Sequence, residues 1–460
     1  MTSPQAQPPV RRHLAGSVFS VGLSRITALI AVALTSIVIA RLLGPSGIGT
    51  YALCATLLFM ASVVFEAGLS QSTAYFVGRG EWTGRALATG LLGACAALGV
   101  VGTGAMLLGY ALLGSDLPGV TWQMAIALSV ALPWGLVWRC GPQAALALER
   151  FELYAVLESA WVVIALPVSI ILAAAVGLEA SVIGFAASLV VAGTVVAAWL
   201  VANARRTAAP PAAPPGGARA VARYGVRAWI PELLQQLNYR ADLVLLGALT
   251  TAADTGVYSI AISITSIAWL LSGSLATSVL PRSASLSAAS EQSAGGEAEH
   301  DASDARALRH AVLLIPALGL MEIVLLLAGV PLIYGSAFDR SVELGLILLP
   351  GTLFLGVGAV ALSVLLGRGR SDRVMWVGLA VVPVTIAAYA LVIPELGATG
   401  AALVSSVSYL CLTILAVTVL DRETRLGART MLVPTGDDVT DYRIALSSLR
   451  AGLKRRFAGP

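Results

Sequence analysis

Long apolar stretches alternate along this chain with short polar turns that carry arginine. The stretches fall at residues 16–41, 48–70, 86–112, 120–138, 153–176 and 180–203. After a Pro- and Ala-rich segment they resume at 223–249, 255–280, 308–333, 342–366, 374–393 and 397–420. A helix needs about 20 residues to cross the bilayer core, so each stretch predicts one crossing, six on either side of that segment. The first stretch is too long for a cleaved signal, whose apolar core spans roughly 7 to 15 residues.

One stretch breaks the apolar rule. From Tyr224 to Leu249 the chain carries Arg227, Glu232, Gln235, Gln236, Asn238, Arg240 and Asp242. Wound as a helix, Glu232, Gln235, Gln236, Tyr239 and Arg240 share one face, and Asn238 and Asp242 widen it. Leu233, Leu234, Leu237, Ala241, Val244 and Leu245 make the opposite face. A two-faced crossing predicts lipid or protein on one side and an aqueous cavity on the other.

Composition and charge place these elements. The chain of 460 residues is 57% hydrophobic and 12% charged, with a mean hydropathy of +0.86, which is the polytopic membrane class. The expected architecture is all-α, with 12 transmembrane helices in two pseudo-symmetric six-helix lobes. A tail at 1–15 precedes a first lobe at 16–203, a linker at 204–222, a second lobe at 223–420 and a basic tail at 421–460. With the N-terminus inside the cell, Arg11, Arg12, Arg79, Arg85, Arg139, Arg150, Arg205, Arg206, Arg368, Arg370 and Arg373 all fall on the cytoplasmic side, whereas the outside receives Arg41 and Arg340. The positive-inside rule therefore puts both termini in the cytoplasm. Segment 283–304, rich in Ser, Gly and acidic residues, reads as a flexible cytoplasmic loop. In the tail, Tyr442, Leu446, Leu449 and Leu453 suit a helix lying on an anionic leaflet.

The two halves echo one another. Leu43-Gly44 and Gly49-Thr50-Tyr51-Ala52 match Leu246-Gly247 and Gly256-Val257-Tyr258-Ser259. With an even number of crossings per half, such repeats run parallel, and transporters of this kind bind near the midplane where the lobes meet.

Charged residues inside crossings are costly and default to functional candidates. They are Arg25, Glu66 and Glu158 in the first half, and Arg227, Glu232, Arg240, Asp242 and Glu322 in the second. Some can simply neutralise one another, Arg25 with Glu66 or Arg240 with Asp242. Otherwise arginines suit phosphate or acidic sugar, the amides of Gln235, Gln236 and Asn238 suit sugar hydroxyls, and buried carboxylates suit uptake of H+ or Na+. Cys54, Cys95, Cys140 and Cys411 are scattered and form neither a disulfide framework nor a metal site. No phosphate-binding glycine loop is present, so ATP hydrolysis is not expected, and neither is a cofactor or a nucleic-acid partner.

Four motifs carry a resemblance: Ala40-Arg41-Leu42-Leu43-Gly44-Pro45 with Gly47-Ile48-Gly49-Thr50-Tyr51; Phe65-Glu66-Ala67-Gly68-Leu69; Glu149-Arg150-Phe151; and Arg240-Ala241-Asp242 with Gly256-Val257-Tyr258. In these the chain resembles the Wzx-like oligosaccharide flippases, the polysaccharide biosynthesis proteins of the multidrug/oligosaccharidyl-lipid/polysaccharide (MOP) exporter superfamily. Tyr75 stands where that family often has a basic residue. The resemblance implies MATE-like lobes around a central cavity, alternating access, and a polyprenyl-pyrophosphate-linked oligosaccharide as cargo in the cell membrane. It further implies polysaccharide polymerase and glycosyltransferase partners, and no enzymatic activity. Under it, Arg25 and Arg240 are expected on pyrophosphate or acidic sugar, and Gln235, Gln236, Asn238 and Tyr239 on the rest of the cargo. Glu66, Glu158, Glu232, Asp242 and Glu322 are expected to couple or gate. A cation-coupled drug or metabolite exporter and a lipid II flippase stay open, and a membrane glycan polymerase is disfavoured by the short outer loops.

Overall fold

The computed structural model describes residues 11–114, 117–207, 210–268, 296–424 and 426–436, with 272, 273, 275, 279, 283, 286 and 438. Side chains are described from Ile30 onward, except those of Ala160, Gly296 and Glu299. The side chain of Arg25 and the tail pattern from Tyr442 to Leu453 therefore lie outside the described residues.

The described residues are almost wholly helical: α1 (Arg11–Glu66), α2 (Leu69–Gly78), α3 (Gly84–Leu113), α4 (Trp122–Ala147), α5 (Phe151–Ala175), α6 (Leu178–Arg206), α7 (Gly217–Leu249), α8 (Ala252–Thr265), α9 (Gly296–Val324), α10 (Arg340–Gly367), α11 (Ser371–Thr424) and α12 (Ala428–Leu432). Beyond Val324 the α9 backbone continues as a wider π-helical stretch, Leu325–Tyr334. Among the described residues, eight helical segments are long and apolar enough to cross a bilayer. Two of them are too long for one crossing. The 54 residues of α11 would extend about 81 Å at 1.5 Å per residue, against a core of about 30 Å. A non-helical glycine interrupts each long helix, Gly44 in α1 (φ 68°) and Gly397 in α11 (φ 55°), where a side chain would be strained. Each is read as two crossings joined at the break. α7 is long enough to cross but too polar to be among the eight, and α8 runs into residues outside those described.

The chain divides into two compact units, residues 1–259 and 260–460. In the first, α6 packs on α4 and α5, α1 on α5, and α3 on α4, while α7 packs on α1 and α2. The division thus falls after α8 has begun rather than in the linker. The linker is also shorter than the Pro/Ala composition implies, since α6 runs to Arg206 and α7 starts at Gly217. Thr83 holds it through backbone pairing with Ala212 and a hydroxyl bond to the Pro210 carbonyl at 2.9 Å.

The two echoing motifs pack against each other inside this unit. A Cβ placed on Gly49 would collide with the Ala252 carbonyl, and one on Gly256 with the Pro45 carbonyl, so backbone meets backbone at both glycines. Each motif tyrosine then reaches sideways. Tyr51 donates to Ser169 Oγ at 3.1 Å, and Tyr258 to Asp242 Oδ2 at 2.8 Å.

In the second unit α10 packs along α11, and α9 along α10 and α12. The segment expected to be a flexible loop over 283–304 is ordered at its end. From Gly296 it is helix, and His300 and Asp304 are buried. Arg368 explains the difference, bonding Asp304 at 2.7 Å and Asp301 at 2.5 Å, while His300 Nε2 lies 2.9 Å from Ser283 Oγ. An acid-rich stretch reads as solvated only until its cation is found elsewhere in the chain. Arg309 similarly bonds Asp438 at 2.7 Å and the Thr430 carbonyl at 3.0 Å, docking the start of the tail on α9.

Gly256→Ala is expected to destabilise the protein by about 1–3 kcal/mol, the usual cost of overpacking. Gly93→Ala, where no atom lies within 4 Å of the added Cβ, is expected to change little. Fluorescence-detected thermal unfolding in detergent measures both.

Candidate functional site

The site begins where α1 ends. Glu66 is its last residue, and Ala67 (φ 47°) and Gly68 (φ 81°) turn the chain into α2. Gly68 is required twice over, because its conformation disfavours a side chain and a Cβ there would strike the Gly225 carbonyl of α7. This contact brings α2 and α7 together at backbone distance. Ser72 Oγ bonds the Val221 carbonyl at 2.8 Å, and Trp229 Nε1 bonds the Val63 carbonyl at 2.7 Å. Tyr75 stacks on Tyr224 with centroids 4.1 Å apart. The position that lacks the basic residue of the Wzx-like pattern is thus an aromatic clasp, with Arg79 above the Tyr75 ring.

Glu66 is completely buried. Burying a carboxylate in apolar surroundings is prohibitive unless charge and hydrogen bonds compensate it. Arg139 of α4 supplies both, with Nε 2.8 Å from Oε2 and Nη2 3.1 Å from Oε1. Ser70 Oγ donates to Oε2 at 2.7 Å. The same Arg139 Nη2 reaches Glu232 Oε1 on α7 at 3.0 Å, and Glu232 Oε2 accepts from Gln71 Nε2 of α2. One guanidinium therefore bridges carboxylates from α1 and α7. It also sits over the Phe59 ring at 5.5 Å, and Arg240 approaches that ring at 5.8 Å.

The described residues supply partners not weighed from the sequence. Glu66 pairs with Arg139, and Asp242 accepts from Tyr258, so Asp242 fastens α8 to α7. Arg139, counted from the sequence among the cytoplasmic arginines, is mostly buried in the structure. It lies eight positions before the end of α4, about 12 Å along the axis, and its side chain is 15% exposed. Counting arginines by proximity to span ends could not see this depth. A signal was present all the same, since two acids predicted inside crossings called for a cation on a third helix.

Beside the bridge lies a cavity of about 520 Å³ between α2, α4, α5 and α7. Its wall includes Gln71, Trp138, Arg139, Gln143, Tyr154, Glu158, Glu232 and Gln236. Of the residues singled out in the sequence, Glu158, Glu232 and Gln236 meet here. Gln235 bonds Tyr239 at 3.0 Å, while Asn238 and Asp242 are buried on the protein side of α7. Arg240 stays by Phe59 and forms no ion pair among the described residues. Glu322 belongs to the second unit, where it is fully buried and accepts from the Ala268 amide at 2.6 Å. Its other oxygen has no partner among the described residues. Gln71, Trp138, Arg139, Gln143 and Tyr154 escaped sequence reading, because only the fold brings their helices together.

Arg139→Ala leaves two carboxylates facing each other and is expected to cost about 3–5 kcal/mol. In a Glu66→Gln background the same substitution is expected to cost at least about 1 kcal/mol less, because the two residues are coupled. Thermal unfolding of the four proteins closes this cycle.

The family model described as polysaccharide biosynthesis protein matches residues 14–287. No curated protein matches the chain. Among solved structures, the chain is similar to an inward-facing multidrug resistance MATE family transporter of the MOP superfamily. The TM-score is 0.66 at 16% identity, covering 88% of this chain and 98% of the other. It is also similar to the lipid II flippase MurJ in an inward closed conformation, with a TM-score of 0.65 at 13% identity and 87% of each chain covered. An outward-facing MATE transporter gives 0.60 at 16% identity, covering 91% and 95%. At these identities the likeness establishes the fold alone, that of a multi-pass helical membrane protein. The family match spans more than half the chain, and the chain belongs to the polysaccharide biosynthesis protein family.

Proposed function

We propose that this protein moves a polyprenyl-pyrophosphate-linked oligosaccharide across the cytoplasmic membrane by alternating access, with both termini in the cytoplasm. The observation that carries this reading is the pairing, on one face of α7, of a cavity wall with a span arginine. Gln236 lines the cavity with Gln71, Gln143, Trp138 and Tyr154, and Arg240 lies one turn further along. Amides that both donate and accept, set among aromatic rings, suit sugar hydroxyls. An arginine inside a crossing with no carboxylate among the described residues to neutralise it suits an anionic group of the cargo, and a diphosphate can take its fork-like donors. Arg25 is the second candidate for that anion. The lipid tail stays in the bilayer, and polymerase and glycosyltransferases are the expected partners.

Coupling to H+ or Na+ belongs to the carboxylates. Glu66 and Glu232 share Arg139, so removing charge from either loosens α7 from α1 and α4. Glu322, buried with no basic partner among the described residues, suits a carboxyl that exchanges a proton during the cycle. A cation-coupled small-molecule exporter is the second reading, favoured by the excess of carboxylates around the cavity.

Deleting the gene is expected to accumulate one complete lipid-linked oligosaccharide, measured by mass spectrometry of polyprenyl-linked intermediates. Arg240→Ala, shown to be inserted and folded, is expected to reduce export at least about tenfold, consistent with losing a charge-assisted hydrogen bond worth roughly 1.5–3 kcal/mol. An unchanged lipid pool, with redundancy excluded, points to the exporter. Glu322→Gln is expected to remove the response of transport to an imposed proton gradient in proteoliposomes while cargo still binds. A gradient response equal to wild type removes Glu322 from coupling.

A further inference from the structure

The cavity in the first unit carries information on which sugars it accepts. Glu66, Glu158 and Glu232 stand at or just behind its wall against one guanidinium, Arg139, which is already shared by two of them. Among the described residues, no other lysine or arginine lines it. Its wall also has spare acceptors. Gln71 Oε1 and Glu158 Oε2 are shielded from water and lack any hydrogen-bond partner among the described residues. Leaving such a group unpaired is costly, and a ligand whose entry turns either side chain toward a donor recovers that cost. Trp138 adds an apolar face to the same wall. Its indole N–H is committed to the Leu157 carbonyl at 3.2 Å, which holds the ring in place. A surplus of carboxylate and acceptor oxygens, together with a fixed aromatic ring, sets the chemistry of the occupant. The occupant must present hydroxyl, amide or ammonium donors on one side and C–H groups on the other, and must carry no acid.

We propose that this cavity is a sugar subsite for a neutral or amine-bearing sugar unit of the cargo, and that it rejects uronic and other acidic sugars. Glu158 is the specificity determinant, accepting from the sugar and repelling a carboxylate. The proposal rests on the flippase reading and narrows its substrate class. Arg240 lies outside the cavity wall, which separates the anionic part of the cargo from the sugar unit held here.

The test uses the full-length protein in lipid nanodiscs and three soluble disaccharides: one neutral and N-acetylated, one carrying a free amine, and one carrying a glucuronate. Binding is followed by calorimetry and by tryptophan fluorescence. The neutral and amine-bearing sugars are expected to bind at least about tenfold more tightly than the uronate, since a like charge at a buried site works against the wrong partner. Glu158→Gln keeps the side-chain shape and is expected to shrink that gap to about threefold or less, while Trp138→Ala weakens all three. Equal or tighter binding of the uronate by the wild type overturns the proposal, as does an unchanged gap in Glu158→Gln or no binding of any of the three. Mass spectrometry of the cargo separates this failure from failure of the flippase reading. An accumulated lipid-linked oligosaccharide built wholly of acidic sugars removes the subsite and leaves the flippase. Absence of any accumulated lipid-linked species removes the flippase reading.

Discussion

A carboxylate taken entirely out of water constrains the first unit more than any other group. Glu66 has no exposure, so the protein must bring a cation and donors to it, and Arg139 with Ser70 does so. Because Arg139 reaches Glu232 as well, the helix that ends at Glu66, the helix that carries Arg139 and the polar helix α7 are held in one arrangement. The close approach of Gly68 and Gly225 makes this geometry possible, since bulkier residues would push α2 and α7 apart and draw Glu232 away from the guanidinium. Breaking such a bridge strands a buried charge, so it is costly to open unless protonation or an ion removes the charge first.

Much of this architecture was legible in the chain because membrane crossing imposes a simple rule. Every backbone polar group must be satisfied within its own helix, so apolar stretches of the right length report helices directly. The breaks at Gly44 and Gly397 coincide with polar or glycine-bearing turns between adjacent stretches, and the amphipathic stripe of α7 announced a cavity. Glu158, Glu232 and Gln236 do line one. Which side of the stripe faces it was not legible. A periodicity of 3.6 residues groups Asn238 and Asp242 with the polar face, but neighbouring helices turn them inward to protein partners. The pairing partner of Glu66 was hidden for a related reason. Arg25 and Arg139 are both arginines near crossings, and only packing reveals that α4 presents its guanidinium at the depth where α1 ends. The aromatic and amide residues of α2, α4 and α5 read individually as ordinary interior residues.

The fold does not choose the cargo. Structures of the same architecture include a multidrug transporter and a lipid II flippase, so identity of cargo has to be argued from side chains. Under the proposed function, the side chains divide the work in a manner suited to a molecule with two chemical ends. Arg240, unneutralised by any carboxylate among the described residues, favours an anion. The cavity one turn away, rich in acceptors and bounded by Trp138 and Tyr154, favours hydrogen-bond donors on a partly apolar ring. A lipid-linked sugar diphosphate has both ends, whereas a small cation has neither a sugar ring nor an anion.

The most direct measurement is a structure of the protein reconstituted with lipid-linked oligosaccharide purified from its own cells. Sugar density against Gln71, Trp138, Glu158 and Gln236, with the diphosphate at Arg240, is the predicted result. A cargo bound with its sugars away from this cavity, while the Arg139 bridge and the cavity remain as they are without it, would contradict the account.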